Sequence, residues 1–159
     1  MRKRHFAICA APTIWATILA SCLITSPSVC QEGTWVAMAP MPTPRSSLAV
    51  GVIDGVLYAV GGRKPGVADT YYSAVEAYDP KEDTWSTKAP LPAPCWGAAA
   101  GVIDGTIYVV GCPDSPFGAR ANLAYNPKTN SWSKRAPMPT PRQMLAAAVV
   151  NGRLYAIGG

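Results

Sequence analysis

The stretch that decides the fold is Val52-Ile53-Asp54-Gly55-Val56-Leu57-Tyr58-Ala59-Val60-Gly61-Gly62. It consists of an apolar run, a two-residue turn, and a second apolar run that ends in paired glycines. Asp-Gly between apolar runs predicts a β-hairpin with a type I′ turn, because both central residues of that turn have positive φ. Residues 102–112 and 149–159 repeat the stretch, with turns at Asp104-Gly105 and Asn151-Gly152. The chain is therefore predicted to hold at least three such hairpins.

Other elements recur around each hairpin. A proline-rich link precedes it, at residues 39–45, 89–95 and 136–142. A third strand containing Tyr78 or Tyr125 follows the first two hairpins. A tryptophan opens a fourth strand, and the three tryptophans lie 50 and 47 residues apart at Trp35, Trp85 and Trp132. A four-stranded unit repeated at this period predicts the blades of an all-β propeller, with the tryptophans packed between adjacent sheets.

The pattern resembles the kelch repeat. The resemblance rests on the double glycine with a tyrosine before it, the Tyr78-Asp79-Pro80 turn and the tryptophan that follows. It extends from about Gly33 to the end of the chain. The second repeat departs from it, with Gly111-Cys112 in place of two glycines, which puts only that backbone position in doubt. The resemblance implies a rigid scaffold that presents loops to a partner, with Arg45 and Arg142 of the first and third links directed toward the central pocket.

The repeats predict an incomplete ring. Two full blades are expected at Ser46–Lys88 and Trp96–Lys134, after one lone fourth-type strand at Thr34–Met38. Only two strands of another blade follow, whereas propellers have about 4–8 blades. We therefore expect a truncated chain, a partial gene product, or a ring that closes by self-association. In each case the strand Leu154–Ile157 would expose its edge.

The first thirty residues predict export. Met1–His5 is charged, Phe6–Ile24 is apolar, and Thr25–Cys30 is a stretch of mostly small residues, which is the layout of a signal peptide over 1–30 before a propeller fragment over 31–159. Two other readings stay open: a lipoprotein signal with Cys22 as the lipidated residue, and a transmembrane anchor. All three place the body outside the cytoplasm, either secreted, periplasmic or attached to the envelope.

Charge and histidine content narrow the function. The net charge of +5 falls to about +2 without Arg2, Lys3 and Arg4, and no basic stripe in the body indicates nucleic-acid binding. The only histidine, His5, lies in the leader. A Ser-His-Asp triad or a histidine metal site is therefore not expected in the body. We expect no cofactor, no metal and no catalytic residues, and we expect the acidic residues Glu76, Asp79 and Asp83 to serve turns or caps.

The candidate site lies where function is usually found in such scaffolds, on loops held by strands. The up-down path of a blade places the second-to-third loops and the links on one face. Each arginine on that face could instead be a solvated rim charge or bond to the neighbouring link. Cys95 and Cys112 are one diagonal step apart across a hairpin, so they could form a disulfide, or Cys112 could simply be a small buried residue. The predicted binding residues are Arg45, Arg63, Tyr71, Tyr72, Trp96 and Arg142.

Three functions fit this face. The first is a binding module for a protein or glycan partner, without enzymatic activity. The second is a fragment of a sugar-processing enzyme resembling sialic acid (N-acetylneuraminate) mutarotase, in which Arg45 and Arg142 grip a sugar carboxylate. The third is a carbohydrate-binding surface on the cell envelope, with Tyr71, Tyr72 and Trp96 as stacking platforms.

Overall fold

A computed structural model describes the backbone of residues 6–7 and residues 35–113 and 118–159 in full. Every regular element in these ranges is a β-strand. No helix among the described residues has the length and apolarity needed to cross a membrane. The chain divides into two compact units, Met1–Ala39 and Pro40–Gly159.

The first unit contains a short antiparallel pair. Strands β1 (Phe6–Ala7) and β2 (Trp35–Val36) align Phe6 with Val36 and Ala7 with Trp35. The expected lone strand at Thr34–Met38 is thus shorter than predicted, and it has a partner. Trp35 is 66% exposed, so the prediction that it packs between sheets is wrong. The remainder of the predicted leader, with Cys22 and Cys30, lies outside the described residues.

The second unit consists of blades. The first blade is a four-stranded antiparallel sheet in the order β3-β4-β5-β6. The second has the order β7-β8-β9-β10, and β11 and β12 form a two-stranded third sheet. The predicted all-β architecture of two complete blades and an unclosed ring is therefore confirmed. The strands are β3 (Ala49–Ile53), β4 (Val56–Val60), β5 (Val75–Asp79), β6 (Thr84–Lys88), β7 (Ala99–Ile103), β8 (Thr106–Cys112), β9 (Ala121–Asn126), β10 (Ser131–Lys134), β11 (Ala146–Val150) and β12 (Arg153–Ile157).

The hairpin turns have the predicted conformation. Asp54 and Gly55 have φ of 51° and 82°, and Asp104 and Gly105 have 47° and 68°. The third turn, at residues 151–152, shows 50° and 69°. Positive φ at both central residues is the requirement of a type I′ turn. Asp, Asn and Gly tolerate this region best, which explains why only these residues occur there.

Small residues on the first strand of each blade let the next blade approach. A Cβ atom at Gly51 would lie 3.2 Å from the Val102 side chain and 3.4 Å from Ile107 of the second blade. Gly101 meets Val149 and Leu154 of the third sheet in the same way. The blades therefore stack by a repeated contact of small against branched residues. The core between them contains the fully buried side chains of Val75, Ile107, Val109 and Tyr125.

A second repeated contact joins the residues that directly follow each link. Ser47, Gly97 and Met144 occupy equivalent positions and all have positive φ, at 54°, 66° and 57°. The Gly97 amide donates to the Ser47 carbonyl over 2.9 Å, and the Met144 amide donates to the Gly97 carbonyl over 2.7 Å. This chain of hydrogen bonds runs from link to link and fixes the register of neighbouring blades.

Both ends of the blade stack expose apolar side chains. Val50 and Val52 on β3 are 47% and 54% exposed, and Tyr155 and Ile157 on β12 are 46% and 59% exposed. In the described part of the chain, β12 has a partner strand on one edge only. Self-association through this edge stays a prediction.

Candidate functional site

The predicted loop face forms where the second-to-third loop of one blade meets the following link. In the first blade, the Gly62 amide donates to the Cys95 carbonyl over 2.7 Å, and the Cys95 amide donates to the Tyr72 carbonyl over 3.0 Å. The Leu91 amide donates to the Ser73 carbonyl over 2.8 Å. We use link 89–98 for the proline-rich link 89–95 together with the three residues that follow it. Loop 61–74 and link 89–98 are thus held together by backbone hydrogen bonds, which gives the side chains above them a rigid base.

Three of the predicted binding residues meet on this base. The rings of Tyr71 and Trp96 stack with centroids 5.3 Å apart and planes inclined by 9°. The guanidinium carbon of Arg63 lies 5.5 Å from the Trp96 ring centroid, which is a cation–π contact. Arg63 is exposed, and the two rings are half-buried. We call Arg63, Tyr71 and Trp96 the aromatic cluster.

Neighbouring groups orient the aromatic cluster. The Tyr71 hydroxyl donates to the Asp69 carboxylate over 2.9 Å, and this hydrogen bond raises the pKa of Tyr71 above its usual value. The Gln143 side chain donates to the Trp96 carbonyl over 3.2 Å. The cluster therefore combines a fixed hydroxyl, two broad apolar rings and an exposed cation, which suits a ligand that has an apolar body and an acidic group.

The third aromatic candidate, Tyr72, lies apart from the cluster. Its amide donates to the Gly62 carbonyl over 2.8 Å, and its carbonyl accepts from Cys95. Burial lowers the pKa of Arg45, and the half-buried Tyr72 side chain is one of the neighbours that oppose this effect. Tyr72 therefore supports the loop, and the structure does not bring its ring together with Trp96.

Arg45 is buried. Its side chain has no exposed surface, and Nη2 lies 3.1 Å from Glu76 Oε2 and donates to the Ala59 carbonyl over 3.0 Å. The Thr43 hydroxyl completes the group by donating to Glu76 Oε1 over 2.7 Å. Burial lowers the pKa of Arg45, and the Glu76 carboxylate opposes that effect. Arg45 thus fastens its link to the first blade through an ion pair.

Glu76 is a residue that the sequence reasoning assigned incorrectly. It serves no turn or cap, because it lies in the buried middle of β5 as the partner of Arg45. The signal available was one carboxylate within an apolar strand, which requires a buried counter-charge. The other two acidic residues do serve turns. Asp79 accepts from the Lys81 amide over 2.9 Å, and Asp83 accepts from the Tyr78 hydroxyl over 2.7 Å.

Arg142 is equivalent to Arg45 in the third repeat, yet its contact differs. Its Nη1 donates to the Gly158 carbonyl over 2.6 Å, and the side chain is half-buried. Ligand binding by Arg142 and Arg45 stays a prediction. For Arg45 it would require that the bonds to Glu76 and Ala59 open.

Cys95 and Cys112 form a disulfide, with Cα atoms 5.0 Å apart. Both residues are buried, at 2% and 3% exposure. Cys112 also extends its strand, because β8 runs for seven residues where β4 runs for five. The bridge joins link 89–98 to the end of the second strand of the second blade.

The tryptophans of the two complete blades each contact a neighbouring element. Trp132 is half-buried against the core and donates from Nε1 to the Ala89 carbonyl over 2.9 Å, which joins the second blade to the link before it. Trp85 pairs with Tyr78, with ring centroids 5.1 Å apart.

Among the described residues, no group of three histidine, cysteine or acidic side chains could hold a metal ion.

Comparisons with known proteins agree with this architecture. The family model described as Kelch motif matches residues 44–92. Kelch-like protein 15 of Gallus gallus is 48% identical over 52 residues, which cover 33% of this chain and 10% of that protein. Kelch-like ECH-associated protein 1B of Danio rerio is 44% identical over 50 residues, which cover 31% of this chain and 8% of that protein. The matched segments thus span about a tenth of these relatives.

A solved structure shares the fold over a longer range. The structure of YjhT superposes with a TM-score of 0.62 and 28% sequence identity, and the match covers 74% of this chain and 35% of YjhT. Stacked four-stranded sheets with this topology define a protein of the β-propeller class. The matched motif and relatives narrow this to one repeat type: residues 44–92 match the Kelch motif, and the chain is similar to kelch-like proteins there.

Proposed function

We propose that this chain is an exported binding module, and that the aromatic cluster on its loop face holds a protein partner. The observation that carries the proposal is the stack of Arg63, Trp96 and Tyr71 on a rigid loop face. Tryptophan, tyrosine and arginine are the residues that most often dominate binding energy at protein interfaces. The name Kelch-like ECH-associated protein 1B records an association for one relative, which supports a protein partner here.

In the described ranges, 35–113 and 118–159, the cluster occurs at one junction between blades. Between the second blade and the third sheet, the positions of Arg63, Tyr71 and Trp96 are taken by Pro113, Gly118 and Gln143. Two of the backbone contacts recur there, because the Arg142 amide donates to the Ala119 carbonyl and the Met138 amide donates to the Arg120 carbonyl. The scaffold therefore does not need these three side chains. Their presence at the first junction alone favours a role in recognition.

The partner's chemistry follows from the cluster. Arg63 offers a guanidinium fork, which pairs best with a carboxylate. The half-buried rings of Tyr71 and Trp96 offer apolar surface beside it. We therefore expect an acidic residue next to an aromatic or aliphatic residue in the partner. Stacking of a glycan on Trp96 is the other outcome that the test below separates.

A two-part screen of the full chain tests this function. Peptides displayed on phage and an immobilised glycan array are probed with the purified protein and with its Trp96→Ala and Arg63→Ala variants. We expect enriched acidic peptides whose binding falls at least about tenfold in both variants, in the range of interface hot spots. Val67→Ala, at an exposed residue of the same loop, and Trp35→Ala, at an exposed tryptophan of the first unit, are the matched controls.

Three outcomes count against the protein partner. Binding only to glycans would replace it with the carbohydrate-binding surface. Binding that survives Trp96→Ala and Arg63→Ala would move the site elsewhere. Equal losses in the Val67→Ala control would show that the variants act through folding.

Export is the second part of the proposal. The charged and apolar leader supports it, and so does the buried disulfide, because disulfides persist in oxidising compartments. Mass spectrometry of the mature chain should show cleavage near Cys30, or a lipid-modified Cys22. An uncleaved chain with free thiols, recovered from the cytoplasm, would contradict this expectation.

A further inference from the structure

Four positions that touch one another in the first blade all change together in the second. The hairpins and the strands with Tyr78 and Tyr125 align the first blade with the second, so each position in one blade has a defined counterpart in the other. In the first blade the four positions hold three polar side chains and a glycine, and in the second they hold apolar side chains or cysteine. The pairs are Thr43 with Ala93, Arg45 with Cys95, Gly62 with Cys112, and Glu76 with Leu123.

The two sets of residues fill equivalent positions in their blades with different side chains. In the first blade, a Cβ atom at Gly62 would lie 3.2 Å from Cδ of Arg45, so the arginine side chain passes directly over that glycine. In the second blade, the long side chain is replaced by the short Cys95, and the glycine by Cys112, which bonds to it. The carboxylate of Glu76, no longer needed as a counter-charge, is replaced by the buried Leu123.

We infer that the Cys95–Cys112 disulfide does in the second blade what the Arg45–Glu76 ion pair does in the first, and that it thereby positions Trp96 on the binding face. Each device fastens a link to the blade that the link introduces. The second half of this inference rests on the proposed function, because it assigns Trp96 to the partner-binding cluster.

Cys95 is suited to position its neighbour because it is bonded in three directions. Its amide and carbonyl are hydrogen-bonded to Tyr72 and Gly62 of the first blade. Its side chain is bonded to β8 of the second blade. Trp96 follows directly, and the next amide, of Gly97, is bonded to Ser47. Without the disulfide, link 89–98 would lose its covalent bond to the second blade, and its hydrogen bonds to Tyr72 and Ser47 would open more often because they alone would hold it.

A transplant tests the inference in the full chain. One variant, Cys95→Ser with Cys112→Ser, removes the disulfide. A second variant installs the first blade's group in the second blade, through Ala93→Thr, Cys95→Arg, Cys112→Gly and Leu123→Glu. Urea unfolding midpoints are measured with and without a phosphine reductant under conditions that reduce the wild-type bridge. Amide exchange is followed at positions 95 and 97, with Ala77 of the first blade as the reference.

The disulfide-free variant should lose exchange protection at positions 95 and 97 by about tenfold more than at Ala77, because local opening adds to global unfolding there. The transplant should recover at least half of the decrease in the urea unfolding midpoint that the double serine variant shows. The reductant should not change the midpoint of the transplant. A uniform loss of protection would overturn the positioning role. A transplant no more stable than the double serine variant would overturn the equivalence, and the exchange result stands if the transplant does not fold.

These measurements use no ligand, so they separate the two proposals. If the wild-type chain binds no peptide or glycan, the proposed function fails, whereas the exchange pattern can still hold. If the chain binds a peptide from the display screen, the double serine variant should bind it at least about tenfold more weakly, because an unfixed anchor residue loses preorganisation. Unchanged peptide affinity would overturn the positioning of Trp96.

Discussion

The first and second blades have the same backbone and different internal fastenings. Both contain a type I′ hairpin and a cross-strand tyrosine–tryptophan pair, with centroids 5.1 Å apart for Tyr78–Trp85 and 5.0 Å apart for Tyr125–Trp132. The first blade holds its link with a buried ion pair, and the second holds its link with a disulfide. This difference indicates that the repeat pattern determines the backbone path, whereas the interaction that holds the link to its blade can be either an ion pair or a disulfide.

The junctions between blades show a similar contrast. The first and second junctions share two backbone hydrogen bonds between loop and link. Among the residues that the structure describes, only the first carries stacked aromatic rings and an exposed arginine above them. A shared backbone with different side chains fits the binding site proposed at the first junction.

Breaking the ion pair on one side should have the largest effect. Glu76→Leu installs the second blade's residue and leaves the buried Arg45 charge without its partner. We expect a loss of about 3–5 kcal/mol in the free energy of unfolding, measured by urea denaturation. Combining it with Arg45→Met should recover most of the loss, because no buried charge then remains. A single variant as stable as the double variant would contradict the buried pair.

In the two complete blades, the glycine at the first position of the double-glycine motif should tolerate no side chain. Gly61 has a φ of 63°, and a Cβ atom there would collide with the Cys95 carbonyl oxygen. Gly111 stands in the same relation to the Arg142 carbonyl, at 2.8 Å. We expect Gly61→Ala and Gly111→Ala each to cost about 2–4 kcal/mol, from left-handed strain and overpacking together.

The matched control for these glycines is Gly55→Ala. Gly55 has a φ of 82° with open space around it, so only the strain of about 1–2 kcal/mol applies. Thermal unfolding of the three variants compares them. Equal losses at Gly55 and Gly61 would show that the neighbouring link does not press on the double glycine.

Removing the hydrogen bond of Trp132 should have a smaller effect. Trp132→Phe keeps an aromatic ring beside Tyr125 but loses the bond to the Ala89 carbonyl. We expect a loss of about 1 kcal/mol in the free energy of unfolding. Trp35→Phe, at the exposed tryptophan, should change it by less than about 0.5 kcal/mol. Similar losses in both would argue against an interblade role for Trp132.

The smallest expected effect is a difference in alkaline titration. Burial, together with the hydrogen bond to Asp83, raises the pKa of Tyr78 to about 12. In the unfolded chain the tyrosine pKa is about 10, so the protonated hydroxyl stabilises the fold fully below pH 10. That stabilisation is lost as the pH rises from about 10 to about 12.

Asp83→Asn sharpens this comparison because Tyr125 in the second blade already donates to an amide, that of Asn130, over 2.7 Å. The variant should lower the pKa of Tyr78, since a neutral acceptor replaces the carboxylate. Ultraviolet difference absorbance of tyrosinate measures the shift, with Tyr78→Phe identifying its contribution. An unchanged titration curve in Asp83→Asn would remove Asp83 as a cause.

Much of the fold could be predicted because its signals are local. The turns at Asp54-Gly55, Asp104-Gly105 and Asn151-Gly152 depend on φ preferences of two residues each, and the structure contains all three. Part of the site was predictable as well, because strand order alone brings Arg63, Tyr71 and Trp96 to one face. Their mutual stacking was not predictable, since it depends on the path of loop 61–74 over the link.

The sequence by itself determined the blade pattern, the hairpins and the face on which the loops meet, because these follow from periodicity and turn chemistry within about fifty residues. Only the tertiary structure decided that Arg45 turns inward to Glu76, that Cys95 bonds to Cys112, and that Trp35 lies exposed. These outcomes depend on which groups meet across thirty residues or between strands. A side chain's burial and partners are set by that meeting and not by its own sequence neighbours.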